Sequence, residues 1–244
     1  MRNIVTVARR ELYAYFSSPL AYIVMAFFLV VQGLLFFLFL IYANQGMYGI
    51  EMGSLLGSGW FYFFVILYTS IVTMRLLAEE QRSGTLEIVL TAPVRDWELV
   101  VGKYLASLAL FTLTTIIGLS HLAILAWVGD PGPGVTFSAY LGYLLMGAAL
   151  LAIGTFASTL TNSQPAAAIV SIVIGVALWL VQFAIPMVRN SVFLTQVVER
   201  VAFFTHYEDF ARGLVSSTHI VYYISLVAAS LFLATQALQA RRWR

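Results

Sequence analysis

Arg75–Lys103, RLLAEEQRSGTLEIVLTAPVRDWELVVGK, is the stretch whose reading decides this chain. It holds nine of the chain's 24 charged residues (13 basic, 11 acidic), and on both sides of it run uncharged stretches long enough to cross a bilayer. The 244 residues are 61% apolar and 10% charged, too little charge to clothe a soluble domain of this length. The apolar runs do not alternate, so they read as helices and not as barrel strands. The predicted fold is all-α: a polytopic membrane protein with six transmembrane helices. A net charge of +2 gives no hold on nucleic acid, and the lack of cysteine removes disulfides and thiolate metal sites. The first apolar run is too long for a signal-peptide core and has no small-residue cleavage site, so it reads as a retained anchor.

Outward from the charged stretch, residues 2–17 form an amphipathic helix suited to the membrane interface. Val5, Ala8, Leu12, Tyr15 and Phe16 lie on one face, and Arg2, Thr6, Arg9, Arg10 and Tyr13 on another. Ser18-Pro19 breaks it. The predicted spans are 20–43, 60–77, 104–128, 138–160, 166–188 and 219–238, all within one domain, 1–244. Between them lie the polar stretch Asn44–Gly59, the charged loop 78–103, the turns at Gly129–Gly134 and Thr161–Pro165, and the mixed segment 189–218. Six spans put both termini on one side. Ten of the 13 basic residues share that side, and only Arg189, Arg200 and Arg212 fall on the other. The positive-inside rule makes the side of the termini cytoplasmic, the charged loop with them, and 189–218 extracytoplasmic.

The spans contain no Asp or Glu, and their ionisable groups are Arg75, His121 and His219. That argues against a carrier driven by protons or sodium. A P-loop is also missing: Lys103, the single lysine, follows Gly102, but Trp97 stands at the first glycine position and Tyr104 at the hydroxyl position. Energy from ATP must therefore come through another polypeptide. Gly57-Ser58-Gly59 resembles a nucleophile loop only faintly, with no histidine beside it, so the chain is not read as an enzyme.

Within the charged loop, Arg75, Glu79 and Arg82 can pair along a helix that continues the second span. Ser83-Gly84 breaks that helix. Thr85–Leu90 forms a short helix with Leu86, Val89 and Leu90 on one face, and Pro93 ends it. Asp96 is the expected cap of the next helix, and Glu98 in its first turn suits the dipole. A solvated connector is the plain alternative. A rigid apolar knob between two sharp breaks fits better into a partner's groove.

Residues 79–108, EEQRSGTLEIVLTAPVRDWELVVGKYLASL, resemble the inner loop of ABC-2 type transporter permeases. Glu79, Glu80, Gly84, Thr85, Leu86, Glu87, Leu90, Pro93, Gly102 and Lys103 match that family's pattern. Arg10-Glu11 with Phe16–Pro19 resembles its amphipathic N-terminus, and Ala152–Ser158 its fourth span. His206–Gly213 and Tyr222–Leu226 resemble a subgroup associated with gliding motility and with maturation of nitrous oxide reductase. Arg95-Asp96 departs from the family, where a serine or threonine often caps.

The resemblance implies the membrane subunit of an exporter-type ATP-binding-cassette complex in the bacterial inner membrane. Two permease chains, identical or related, would pair above two cytosolic ATPase subunits. Those subunits would hold ATP and Mg; this chain would bind no cofactor. Thr85–Leu90 would be the coupling helix, and Glu79, Glu80, Gly84, Thr85, Leu86, Glu87, Val89 and Leu90 the contact with the ATPase. The alternative is a mechanotransmitting module that passes ATP-driven movement to an extracytoplasmic partner. A passive channel is a third reading.

Ala167, Ser171 and Gly175 recur every four residues and allow close helix approach, either inside one chain or as a dimer seam. Related permeases place the fifth span near the dimer axis. Gln32 and Gln182 face a path or bond to neighbouring helices, and His121 is expected to bond to a neighbouring helix. His206, Glu208 and Asp209 are read as part of an outer lid; as a metal site they lack enough ligands. The outer helices of 189–213 would bury Val197, Val201 and Phe204.

Overall fold

The computed structural model describes residues 2–45, 52–84, 94–128, 131–188 and 191–242. The predicted coupling helix, with Thr85, Leu86, Glu87, Val89 and Leu90, lies outside them. All regular elements among the described residues are helical. Six of them, singly or joined across a bend, are long and apolar enough to cross a membrane.

Helix α1 (Arg2–Ser17) stops where Ser18-Pro19 predicts. Ser18 Oγ accepts from the Leu20 N–H (3.3 Å), and Pro19 opens α2 (Pro19–Asn44), the first span. The short α3 (Met52–Leu56) leads to α4 (Gly59–Thr73), capped by Ser58 Oγ accepting from the Phe61 N–H (3.2 Å). Ser58 is thus a helix cap.

The second span does not run straight to Arg82 as expected; it bends over 74–77 and resumes as α5 (Ala78–Ser83). The cause is Ser158, on the fourth span. Its Oγ lies 3.0 Å from the Leu77 and Ala78 amides and 3.3 Å from the Met74 carbonyl, so it satisfies the backbone groups that the bend frees. Gly84, at φ +72°, then closes α5 in the left-handed conformation that the Ser83-Gly84 break implied.

The helix expected after Asp96 runs into the third span as α6 (Asp96–Gly118), and continues after a break at Leu119 as α7 (Ser120–Val128). Its N-cap is Arg95, not Asp96: Glu98 Oε2 accepts from the Arg95 N–H (3.1 Å), and Asp96 occupies the first helical position, where its charge meets the dipole. The fourth span is α8 (Pro133–Leu160) and the fifth α9 (Gln164–Leu180). The fifth tightens into a 3₁₀ segment, Val181–Val188, which contains Pro186. Outer helices α10 (Val192–Val201) and α11 (Phe203–Ala211) precede the sixth span, α12 (Ser217–Arg242).

The fourth span is the centre of the bundle; the fifth and sixth leave most of their surface uncovered. Phe28, Phe61, Tyr68, Phe111 and Tyr143 join the first four spans in tilted ring contacts with centroids 4.7–6.4 Å apart. Gly147 gives Phe111 its place, and Gly154 does the same for Thr73; a Cβ at either would overlap those side chains.

At one end of the bundle α1, α5, the start of α6 and the end of α12 meet around buried Leu77, Leu99, Val100, Ala234 and Leu238. At the other end α11 buries Phe203, Phe204, Tyr207 and Phe210 against the spans. Val197 and Val201 do not join that buried face. They are 44% and 48% exposed, because α10 packs mainly on the 3₁₀ segment and Phe204 reaches the core from α11.

Candidate functional site

The charged stretch converges on its lysine. Lys103 lies inside α6 with a side chain only 3% exposed, a state that an ammonium tolerates only when paired. Its Nζ is 2.8 Å from Glu11 Oε2 on α1 and 3.0 Å from Glu80 Oε1 on α5, both carboxylates 15% exposed. One buried cation thereby ties three separate helices. Glu80 is turned inward to this ion pair, so its carboxylate is not free to meet an ATPase as the sequence suggested. Its second oxygen is buried with no hydrogen-bond partner among the described residues. Glu79 points outward, 55% exposed, within 3.8 Å of Arg75.

Neighbouring contacts make the junction stiff. Gly102 lets α1 lie directly on α6: a Cβ there would sit 2.7 Å from Val7 Cβ and 3.0 Å from the Ile4 carbonyl oxygen. Asn3 Nδ2 donates to Glu98 Oε2 (3.0 Å), which fastens the first turn of α1 to the first turn of α6. Tyr15 OH donates to the Val72 carbonyl (2.8 Å), and Arg75 lies over the Tyr15 ring at 5.0 Å. Burial, with Glu11 adding, pushes the Tyr15 phenol well above its usual range, so it remains a donor. Gln81 Nε2 donates to the Thr159 carbonyl (3.3 Å), which holds α5 to the fourth span.

The Gly-Lys pair thus has a physical explanation: the glycine allows contact and the lysine fastens it. Sequence reasoning missed Glu11, Tyr15 and Ser158. For Glu11 the signal was available, since a lone buried lysine demands carboxylates and Glu11 stands on the helix nearest to it.

The small-residue stripe on the fifth span faces inward, against the second span of the same chain. Ser70 Oγ bonds to Ser171 Oγ (2.9 Å), Tyr62 OH donates to the Gly175 carbonyl (3.4 Å), Ile66 fills the space at Gly175, and Ala167 is 1% exposed. As a dimer seam these three residues are therefore corrected: close internal packing has used them. The open face of this span carries Ile169, Val173 and Leu180, 61%, 60% and 52% exposed.

Gln32 is corrected as a path residue. It is 3% exposed and packs against Gly118 at the break in the third span. His121 Nδ1 bonds to the Gly118 carbonyl (2.9 Å) of its own span and reaches the first span by packing beside Gly33 and Phe36. The remaining four split into two places. Gln182 and Glu208 line one cavity of about 500 Å³ beside Trp179 and Phe204. His206 and Asp209 instead join His219, at the head of the sixth span. Among the described residues no group of three or more His, Cys, Asp or Glu is arranged to hold a metal ion.

The comparison with curated proteins gives no match. A family model described as "ABC-2 family transporter protein" matches residues 49–207, about two thirds of the chain. The match runs from the segment before the second span, through the charged loop, to α11, so the chain is a multi-pass membrane subunit and not itself the catalyst. With the six apolar spans and the fastened loop between the second and third, this chain belongs to the ABC-2 family of transporters.

Proposed function

We propose that this chain is the permease of an exporter-type complex in the bacterial inner membrane, with both termini cytoplasmic. It works as a dimer above two ATPase subunits, which bind ATP and Mg. One arrangement supports this most. The Lys103 pairings join α1, α5 and α6, and α5 and α6 flank the segment 85–93 on both sides. A push on that segment is thereby shared by the second span, the third span and the N-terminal helix, as a coupling device requires. Glu79, Gly84, Thr85, Leu86, Glu87, Val89 and Leu90 form the ATPase contact in this reading, with Glu80 bracing it from within.

The decisive experiment is purification of the chain with its ATPase and reconstitution of the pair in proteoliposomes. Stable copurification and ATP-dependent flux of a cargo are expected. Conductance from this chain alone, without ATPase, would overturn the reading in favour of a channel. The mechanotransmitting alternative draws on α10, whose Val192 and Phe193 are 75% and 71% exposed. It predicts ATP hydrolysis stimulated by an extracytoplasmic partner, with no flux.

The second permease chain is placed against the open face of the fifth span. The chain has no cysteine, so Val173→Cys is expected to give a disulfide-linked dimer on mild oxidation, while Ser171→Cys, turned toward Ser70, is not. The reverse pattern would return the seam to the small-residue stripe.

A further inference from the structure

Two of the chain's three histidines face one another at the end of the bundle opposite Lys103. His206 belongs to α11 and His219 to the first turn of α12. Their Nδ1 atoms are 2.8 Å apart. The other nitrogen of each ring is already engaged: His206 Nε2 lies 3.2 Å from the Arg200 carbonyl oxygen, and His219 Nε2 lies 2.9 Å from Asp209 Oδ2. A carbonyl and a carboxylate only accept, so both Nε2 atoms carry hydrogen. The two Nδ1 atoms are left pointing at each other across a hydrogen-bond distance.

That distance requires one proton between them. With none, two lone pairs oppose; with two, two N–H groups collide and two imidazolium charges adjoin. Three hydrogens on four ring nitrogens give the pair one positive charge, balanced by the Asp209 carboxylate. We propose that His206 and His219 form a binding site for a single proton that fastens α11 to the head of the sixth span, and that a second proton unfastens it.

The surroundings disfavour a second charge on the pair. His206 is 8% exposed, and its ring stacks on Tyr222 with centroids 4.0 Å apart. Asp209 is the acid that faces the pair, and Glu208, one residue earlier, is engaged by Arg212 at 3.5 Å. The sequences of α3, α8, α9 and the 3₁₀ segment, all packed near α11, hold no charged residue; α8 contributes the phenols Tyr140 and Tyr143. Burial holds the His206 imidazole below its ordinary value and the neighbouring His219 adds to this, against the opposing pull of the Arg200 carbonyl and Asp209. Since the lowered group is neutral in the closed joint, its stabilising contribution is complete above the ordinary histidine pKa. It is lost as pH falls through the lowered value.

Other ties remain when the pair opens. Tyr222 OH donates to the Val201 carbonyl (3.0 Å) and Tyr223 OH to the Phe203 carbonyl (2.9 Å), so the start of α11 stays anchored. Tyr207 and Phe210 keep the second half buried against the spans, so what loosens is its polar edge at Glu208, which lines the cavity shared with Gln182. The proton thus controls how firmly that cavity is covered.

With only three histidines, ring-¹⁵N NMR of the full chain in nanodiscs reads the site directly. At pH 7.5 the His206–His219 pair is expected to show three protonated ring nitrogens, with the second proton entering only below the ordinary histidine range. His206→Gln and His219→Gln assign the signals. Two rings that are both neutral at that pH, or that titrate independently near about 6.5, would overturn the site. Hydrogen exchange gives the mechanical readout: after correction for intrinsic rates, amides of 203–213 should exchange at least about tenfold faster at pH 5 than at pH 7.5. His219→Gln should remove that step. An equal step in the variant would show that the pair is not the latch, and the wild-type NMR result stands even if the variants fail to fold.

Discussion

Lys103→Met should undo the junction between α1, α5 and α6. The variant leaves Glu11 and Glu80 facing each other with no cation between them, although both carboxylates are only 15% exposed. Removing one partner from a buried ion pair typically costs about 3–5 kcal/mol, because the charge left behind loses both water and its counterion. The thermal midpoint of the purified chain should fall accordingly, and ATP-driven flux and ATPase copurification with it. Substituting all three charges, Glu11→Gln with Glu80→Gln and Lys103→Met, should recover most of the midpoint, since the desolvation cost disappears along with the attraction. If Lys103→Met melts within about 1 kcal/mol of the parent chain, the lysine is not fastening these helices.

Leu86→Arg should give the opposite separation of effects. Leu86 belongs to the apolar face predicted for the coupling helix, where a guanidinium facing an apolar groove would be desolvated without a partner, a cost of several kcal/mol. Copurification with the ATPase and stimulated ATP hydrolysis should fall to background. Because the Lys103 junction, Gly84 and the Ser158 brace are untouched, the thermal midpoint of the isolated chain should stay that of the parent. Intact copurification and hydrolysis in the variant would end the assignment of Thr85–Leu90 as the ATPase contact. The pair of variants separates the two roles within one loop: one weakens the frame, the other only the surface it presents.

The length and apolar character of the spans were legible from composition and run length, because a membrane helix must satisfy its own backbone and can carry almost no charge. The breaks at Ser18-Pro19 and Gly84 were also open to reading, each depending on the residue itself. Where a partner far away in sequence decides, the reading failed. The bend at 74–77 needs Ser158, 84 residues beyond Met74, to take up its freed backbone groups. Ala167, Ser171 and Gly175 permit close approach to any helix, and only packing selects the second span of the same chain over another copy. Val197 and Val201 follow the same periodicity as a buried face, yet α10 packs mainly on the 3₁₀ segment, which leaves them 44% and 48% exposed.

For the charged stretch the division is sharpest. Its residues alone determined that a charged loop lies between two membrane helices, and that Lys103 is the chain's single lysine. Tertiary structure decided what the charges do: it turned Glu80 inward to Lys103, brought Glu11 from 92 residues away to the same ammonium, and left Glu79 outside. The physical reason is that helical spacing fixes which side chains share a face. Which face is buried, and which carboxylate a buried cation meets there, is set by the helices packed around it.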